Sequence, residues 1–190
     1  MPWVLFSVIS RHDTMTAASV VALGAAIVVA IPGVRARRPK ILEIGTIFAF
    51  VGLTAAAVAV DPGHADWLQR YARAIAAALL ATIALISVVT TPFTEQYARQ
   101  TVPPQYWSSA RFKQINRELT LLWAIVFVAM VPSHIVAGYV DTRRSNTIFN
   151  WVIPIALVVF AAKRTEKAGR IEDTPDRALA HQRAAALKTR

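Results

Sequence analysis

His134 is the ionisable residue that lies furthest inside a long uncharged run of this sequence, directly after Pro132 and Ser133. Burying such a group among apolar side chains is costly, which makes it the first place to look for chemistry. As a proton carrier it would want a carboxylate partner, and none of the comparable runs contains one. The preferred role is therefore a neutral imidazole bonded to a neighbouring helix. A Ser133–His134 nucleophilic pair fails on geometry, because adjacent residues on a helix point in different directions.

Two further groupings could do chemistry. Asp61, His64 and Asp66 fall within Asp-Pro-Gly-His-Ala-Asp-Trp. Two carboxylates and an imidazole can hold a divalent cation, and three ligands suffice for an open zinc site. The same residues read more simply as a turn at Asp-Pro-Gly followed by a helix start at Asp66 and Trp67, and that reading is preferred. Glu43, just after the basic run Arg35 to Lys40, either pairs with one of those cations or carries protons at a helix end; the pairing is preferred. The chain contains no cysteine, which removes disulfides, thiolate metal sites and cysteine nucleophiles. No HExxH motif, phosphate-binding glycine loop or pair of carboxylates at active-site spacing is present. No catalytic residue, metal or cofactor is assigned.

The elements that must position these groups follow from how charge is distributed. Hydrophobic residues make up 55 % of the 190 and charged residues only 17 %. Mean hydropathy is +0.44. A soluble domain carries about a quarter charged residues. Here the charges also clump between five uncharged runs, which predict spans at 14–34, 41–60 (uncharged from Ile44, with Glu43 at the interface), 74–94, 119–140 and 145–162. A helix rises about 1.5 Å per residue, and about 20 residues cross a hydrocarbon core of about 30 Å. The expected fold is all-α: a polytopic transmembrane bundle of about five spans, forming a membrane domain over 1–162. Met1 to Ser10 is too short to span and reads as an interfacial or re-entrant lead-in, with Trp3 and Phe6 at headgroup level. Gly24, Gly45 and Gly52 read as sites of close helix packing.

Segment 93–118 is interfacial. Pro103 and Pro104 break it, and Ser108 or Ser109 caps a new helix. Phe112, Ile115, Leu119 and Leu122 form an apolar stripe there, so an amphipathic helix is expected to bend into the fourth span. Pro132 and Pro154 are expected to kink the fourth and fifth spans. Residues 163–190 form a basic tail.

Sixteen of the 21 Lys and Arg residues fall on the side of that tail. The positive-inside rule then places the N-terminus out and the C-terminus in the cytoplasm. The same rule accounts for the net charge of +10 without nucleic acid. The expected partners are lipids, with anionic headgroups at the cytoplasmic face, together with other membrane proteins, whether in a larger complex or a homo-oligomer. Tyr97, Tyr106, Trp107, Arg111, Phe112 and Lys113 are the candidate contacts to a partner or to lipid. Glu43 and His134 are the candidate intramembrane polar site.

Several positions also form a pattern in order: Arg35-Ala-Arg-Arg-Pro-Lys40, the Asp61 to Trp67 loop, Thr91-Pro-Phe93, Val102-Pro-Pro-Gln-Tyr-Trp107, Asn116, Leu119-Thr-Leu-Leu-Trp123-Ala-Ile-Val-Phe127 and Phe149-Asn150. Over roughly Arg35 to Lys163 this resembles the bacterial intracellular septation protein A family. The chain departs from the family at both ends, with a shorter N-terminal apolar segment and a longer tail. The resemblance implies the bacterial inner membrane and a role in envelope upkeep and septum formation through protein contacts, with no catalytic residues. The expected function is accordingly a non-enzymatic accessory or scaffold protein. The alternative is a small oligomeric transporter or channel subunit with Glu43, Thr54 and His134 facing a path.

Overall fold

The computed structural model describes residues 2–9, 15–60 and 62–169. Helix α1 (Pro2–Ile9) precedes α2 (Met15–Arg35), α3 (Ile41–Ala59) and α4 (Pro62–Val89). A short α5 (Phe93–Ala98) and a 3-10 turn (Pro104–Tyr106) lead into α6 (Ala110–Val140). The last helix, α7, covers Arg143–Gly169 and contains a π-turn at Ile148–Val152. No strand occurs among the described residues. Helices α2, α3, α4, α6 and α7 are each long and apolar enough to cross a membrane. The chain is an all-α polytopic bundle and a multi-pass membrane protein. Phe48, Val58 and Val89 are each more than 70 % exposed on these helices, which suits lipid tails and not water.

Lipid tails are as apolar as leucine, so close packing and polar contacts must hold the spans together. Helix α4 lies between α3 and α6 and meets them through alanines, with Ala72, Ala74, Ala76, Ala77, Ala81 and Ala84 all buried. Gly45 of α3 is filled by Ile83 of α4, and Gly138 of α6 lies against the Arg70 carbonyl and the Tyr71 ring. Gly24 and Gly52 face open space instead, so of the three glycines read as packing sites only Gly45 makes such a contact. Helix α1 packs on α2 and sends its aromatics inward. Phe6 is fully buried, Trp3 and Phe6 stack on Phe50, and the Trp3 indole donates to Thr46 Oγ1 at 3.1 Å. Both rings dock on Phe50 of α3, a contact that the reading as an interfacial lead-in did not include.

Three helix boundaries differ from those read off charge. Helix α4 begins at Pro62, with proline in its favoured first-turn position, and carries Arg70 and Arg73 within it. An arginine need not end a helix, and Arg70 here pairs with Asp141 at 3.5 Å. Helix α6 runs unbroken from Ala110, so the amphipathic lead-in and the fourth span are one helix. It starts on Ser109, whose hydroxyl accepts from the Phe112 amide. Helix α7 continues through the first seven residues of the predicted tail, and 170–190 lie outside the described residues.

Helix α2 ends on Arg37 in the left-handed region, φ 53°. The Arg38 amide bonds the Gly33 carbonyl at 2.8 Å and the Arg37 amide bonds Val34 at 3.0 Å, a Schellman closure in which glycine normally takes the left-handed position. Arg37→Gly is expected to stabilise the folded protein by about 1 kcal/mol, measured as a raised unfolding midpoint in detergent.

Candidate functional site

Alternating helix directions give the bundle two ends. The basic end gathers the close of α2, the start of α3, α5, the 3-10 turn and the start of α6. The opposite end gathers the close of α3 and α6 with the starts of α4 and α7.

The most developed polar constellation lies toward the opposite end, where α4, α6 and α7 meet. His134 Nδ1 is 2.7 Å from Asn150 Oδ1, and both residues are buried. Asn150 donates to Asn146 Oδ1 at 2.8 Å, and Asn146 donates to Asp141 Oδ1 at 3.4 Å. Asp141, left-handed at φ 45° where it ends α6, completes the chain through Arg70. Asn150 reaches α6 from the π-turn. The Ile153 amide bonds the Ile148 carbonyl, five residues back. Continuing that register would need an amide hydrogen from Pro154 for the Phe149 carbonyl, and proline has none. The Ser133 hydroxyl donates to that carbonyl instead, at 2.7 Å. Ser133 and His134 thus hold the Phe149 carbonyl and the Asn150 side chain of the π-turn from one turn of α6. The distortion expected at Pro154 takes this form.

At the basic end, Glu43 is buried. Its Oε1 pairs with Lys40 at 3.2 Å, while Oε2 is buried without a hydrogen-bond partner and sits in space left open by Gly33. The Lys40 ammonium lies over the Tyr97 ring, 4.2 Å from its centre. Burial of its hydroxyl end, then the charge of Glu43, pushes the Tyr97 hydroxyl up to about 12, although part of the ring stays exposed. Glu95, also buried, pairs with Arg99, whose guanidinium stands over Trp107 at 5.1 Å. Gln96 Oε1 accepts from the Ile41 amide at 2.8 Å and so caps α3 from a distant segment. Thr94 fastens α5 to α6 by bonding the Asn116 carbonyl and the Thr120 hydroxyl, at 2.7 and 2.8 Å.

Glu43 and His134 therefore lie at opposite ends and form no joint site. Among the candidate contacts, Tyr97, Tyr106, Arg111 and Lys113 are exposed and Trp107 is half-buried, its indole donating to the Val102 carbonyl. Phe112 is 1 % exposed. It cannot touch a partner or lipid, because its place on α6 turns it inward toward the α5 contact. Of the metal-site candidates, Asp61 and the His64 side chain lie outside the described residues, and Asp66 is exposed. No cluster of three metal-binding side chains occurs among the described residues.

Counting charges could not find Asn146, Asn150, Thr94, Asn116 and Thr120, because none is charged. The available signal was spacing: Asn146 and Asn150 are one helical turn apart, with Pro154 one turn further. Comparison with protein-family models, curated proteins and solved structures finds no match.

Proposed function

We propose that this chain is a non-enzymatic protein of the bacterial cytoplasmic membrane, with its basic end in the cytoplasm, that serves as an accessory or scaffold for envelope and septation machinery. The observation that carries this reading is the aromatic and basic platform at that end. Lys40 and Arg99 are held over Tyr97 and Trp107, while Tyr106, Arg111 and Lys113 face outward. Aromatic and arginine side chains dominate the energetically important parts of protein interfaces, and the same pairing suits anionic headgroups. The polar side chains of α6 and α7 support the reading by bonding one another, which joins helices.

Affinity capture of the full chain from mild detergent, followed by mass spectrometry, is expected to recover envelope-assembly proteins. The double reversal Arg111→Glu, Lys113→Glu is expected to reduce that recovery at least fivefold. Capture of this chain alone, with normal growth and cell shape on deletion, would remove the proposal. The unpartnered Oε2 of Glu43 favours a second reading, an oligomeric transporter or channel subunit. That reading expects flux in liposomes that Glu43→Gln abolishes, and fails if no gradient drives flux.

A further inference from the structure

The hydrogen-bond chain at the opposite end has a direction, and its direction decides the state of His134. An Asp141 carboxylate can only accept, so the Asn146 amide must present its NH2 group to it. That turns Asn146 Oδ1 toward Asn150, which must donate, and turns Asn150 Oδ1 toward the imidazole. A carbonyl oxygen facing Nδ1 requires a hydrogen there. Reversing Asn146 would set oxygen against oxygen at Asp141, and reversing Asn150 would set oxygen against oxygen at Asn146. Which ring nitrogen carries the proton is thus settled by a carboxylate two asparagines away.

We infer that His134 is a proton-binding site, held as the Nδ1–H tautomer by Asp141 through Asn146 and Asn150, with Nε2 as the basic position. Among the described residues no hydrogen bond reaches Nε2. A proton bound here adds to the Nε2 lone pair and converts imidazole to imidazolium. The Nδ1–H bond to Asn150 needs no change, because both ring nitrogens of the cation are donors. The π-turn therefore keeps its grip on α6 in both states, and the site loads and unloads without unlatching the helices. The charged groups around it are Arg73 and Arg70 on α4, the second paired with Asp141, and Asp141 on α6 itself. From α7 the facing groups are the two neutral amides. Asp141 and the asparagines are positioning residues: they act through the ring and do not receive the proton.

The test is nitrogen NMR of the full chain in nanodiscs, with 15N-labelled histidine and His134 assigned as the signal lost in His134→Gln. At neutral pH the expected spectrum shows Nδ1 protonated and Nε2 bare, with that tautomer dominant by at least about tenfold. On acidification the new proton is expected at Nε2, with the Nδ1–H contact to Asn150 retained. Asp141→Leu removes the fixed end of the chain, and Asn146→Leu interrupts it midway. Each is expected to bring the two tautomers to comparable populations. An Nε2–H tautomer in the wild-type protein overturns the inference. So does a ratio that neither variant moves. The wild-type spectrum decides the question even if a variant fails to fold.

Discussion

Replacing Phe50 by alanine is expected to lower the stability of the folded protein by about 2 kcal/mol, while Phe48→Ala two positions earlier shifts it by less than about 0.5 kcal/mol. Both are phenylalanines on α3 in the same apolar span, and hydropathy does not distinguish them. Phe50 has no exposed surface and holds the rings of Trp3 and Phe6, with centroids 4.6 and 5.5 Å away. Phe48 is 71 % exposed. In a bilayer, transfer out of water contributes little to either residue, because the separated helices are also in hydrocarbon. What remains at Phe50 is lost contact and a cavity that α1 cannot fill without giving up the Trp3 bond to Thr46. Reversible unfolding of both variants in mixed micelles measures the difference. Equal losses would mean that α1 is not docked on α3.

Gly138→Val is expected to cost about 3 kcal/mol, at the upper end for overpacking. A Cβ at position 138 would stand 2.9 Å from the Arg70 carbonyl oxygen and 3.0 Å from the Tyr71 ring. The first of these is backbone, which cannot rotate away as a side chain could. Helices α4 and α6 must separate, and the pair Arg70–Asp141 crosses the same seam. Gly52→Val is the matched control, since nothing lies within 4 Å of a Cβ there, and it is expected to be neutral or mildly stabilising. Thermal unfolding in detergent compares the two.

The spans were legible because an absence of charge over about 20 residues has one main physical cause. The start of the third long helix was not, since a charge marks the edge of an uncharged run and not the end of a helix, and α4 runs back through Arg73 and Arg70 to Pro62. Within segment 93–118 the aromatic composition was plain but the helical phase was not. Phe112 is buried between exposed Arg111 and Lys113, and the buried line on α6 continues through Asn116 and Thr120, not through Ile115 and Leu119. The bonding role preferred for His134 needed only the cost of burying it. Its partner needed the structure, because an asparagine in an apolar run is silent until a second helix is laid beside it. The separation of Glu43 from His134 follows from alternating helix directions and could have been read from the span order alone.

The amide that opens α3 is closed by the side chain of Gln96, 55 residues further along. A ribosome that has released α3 into the bilayer has therefore not yet supplied the group that finishes its first turn. The hairpin of α2 and α3 waits in an incomplete form until α4 has crossed back and α5 has folded against it. Completion of this face of the protein therefore depends on a later segment, because the group that closes the first turn of α3 arrives only with α5.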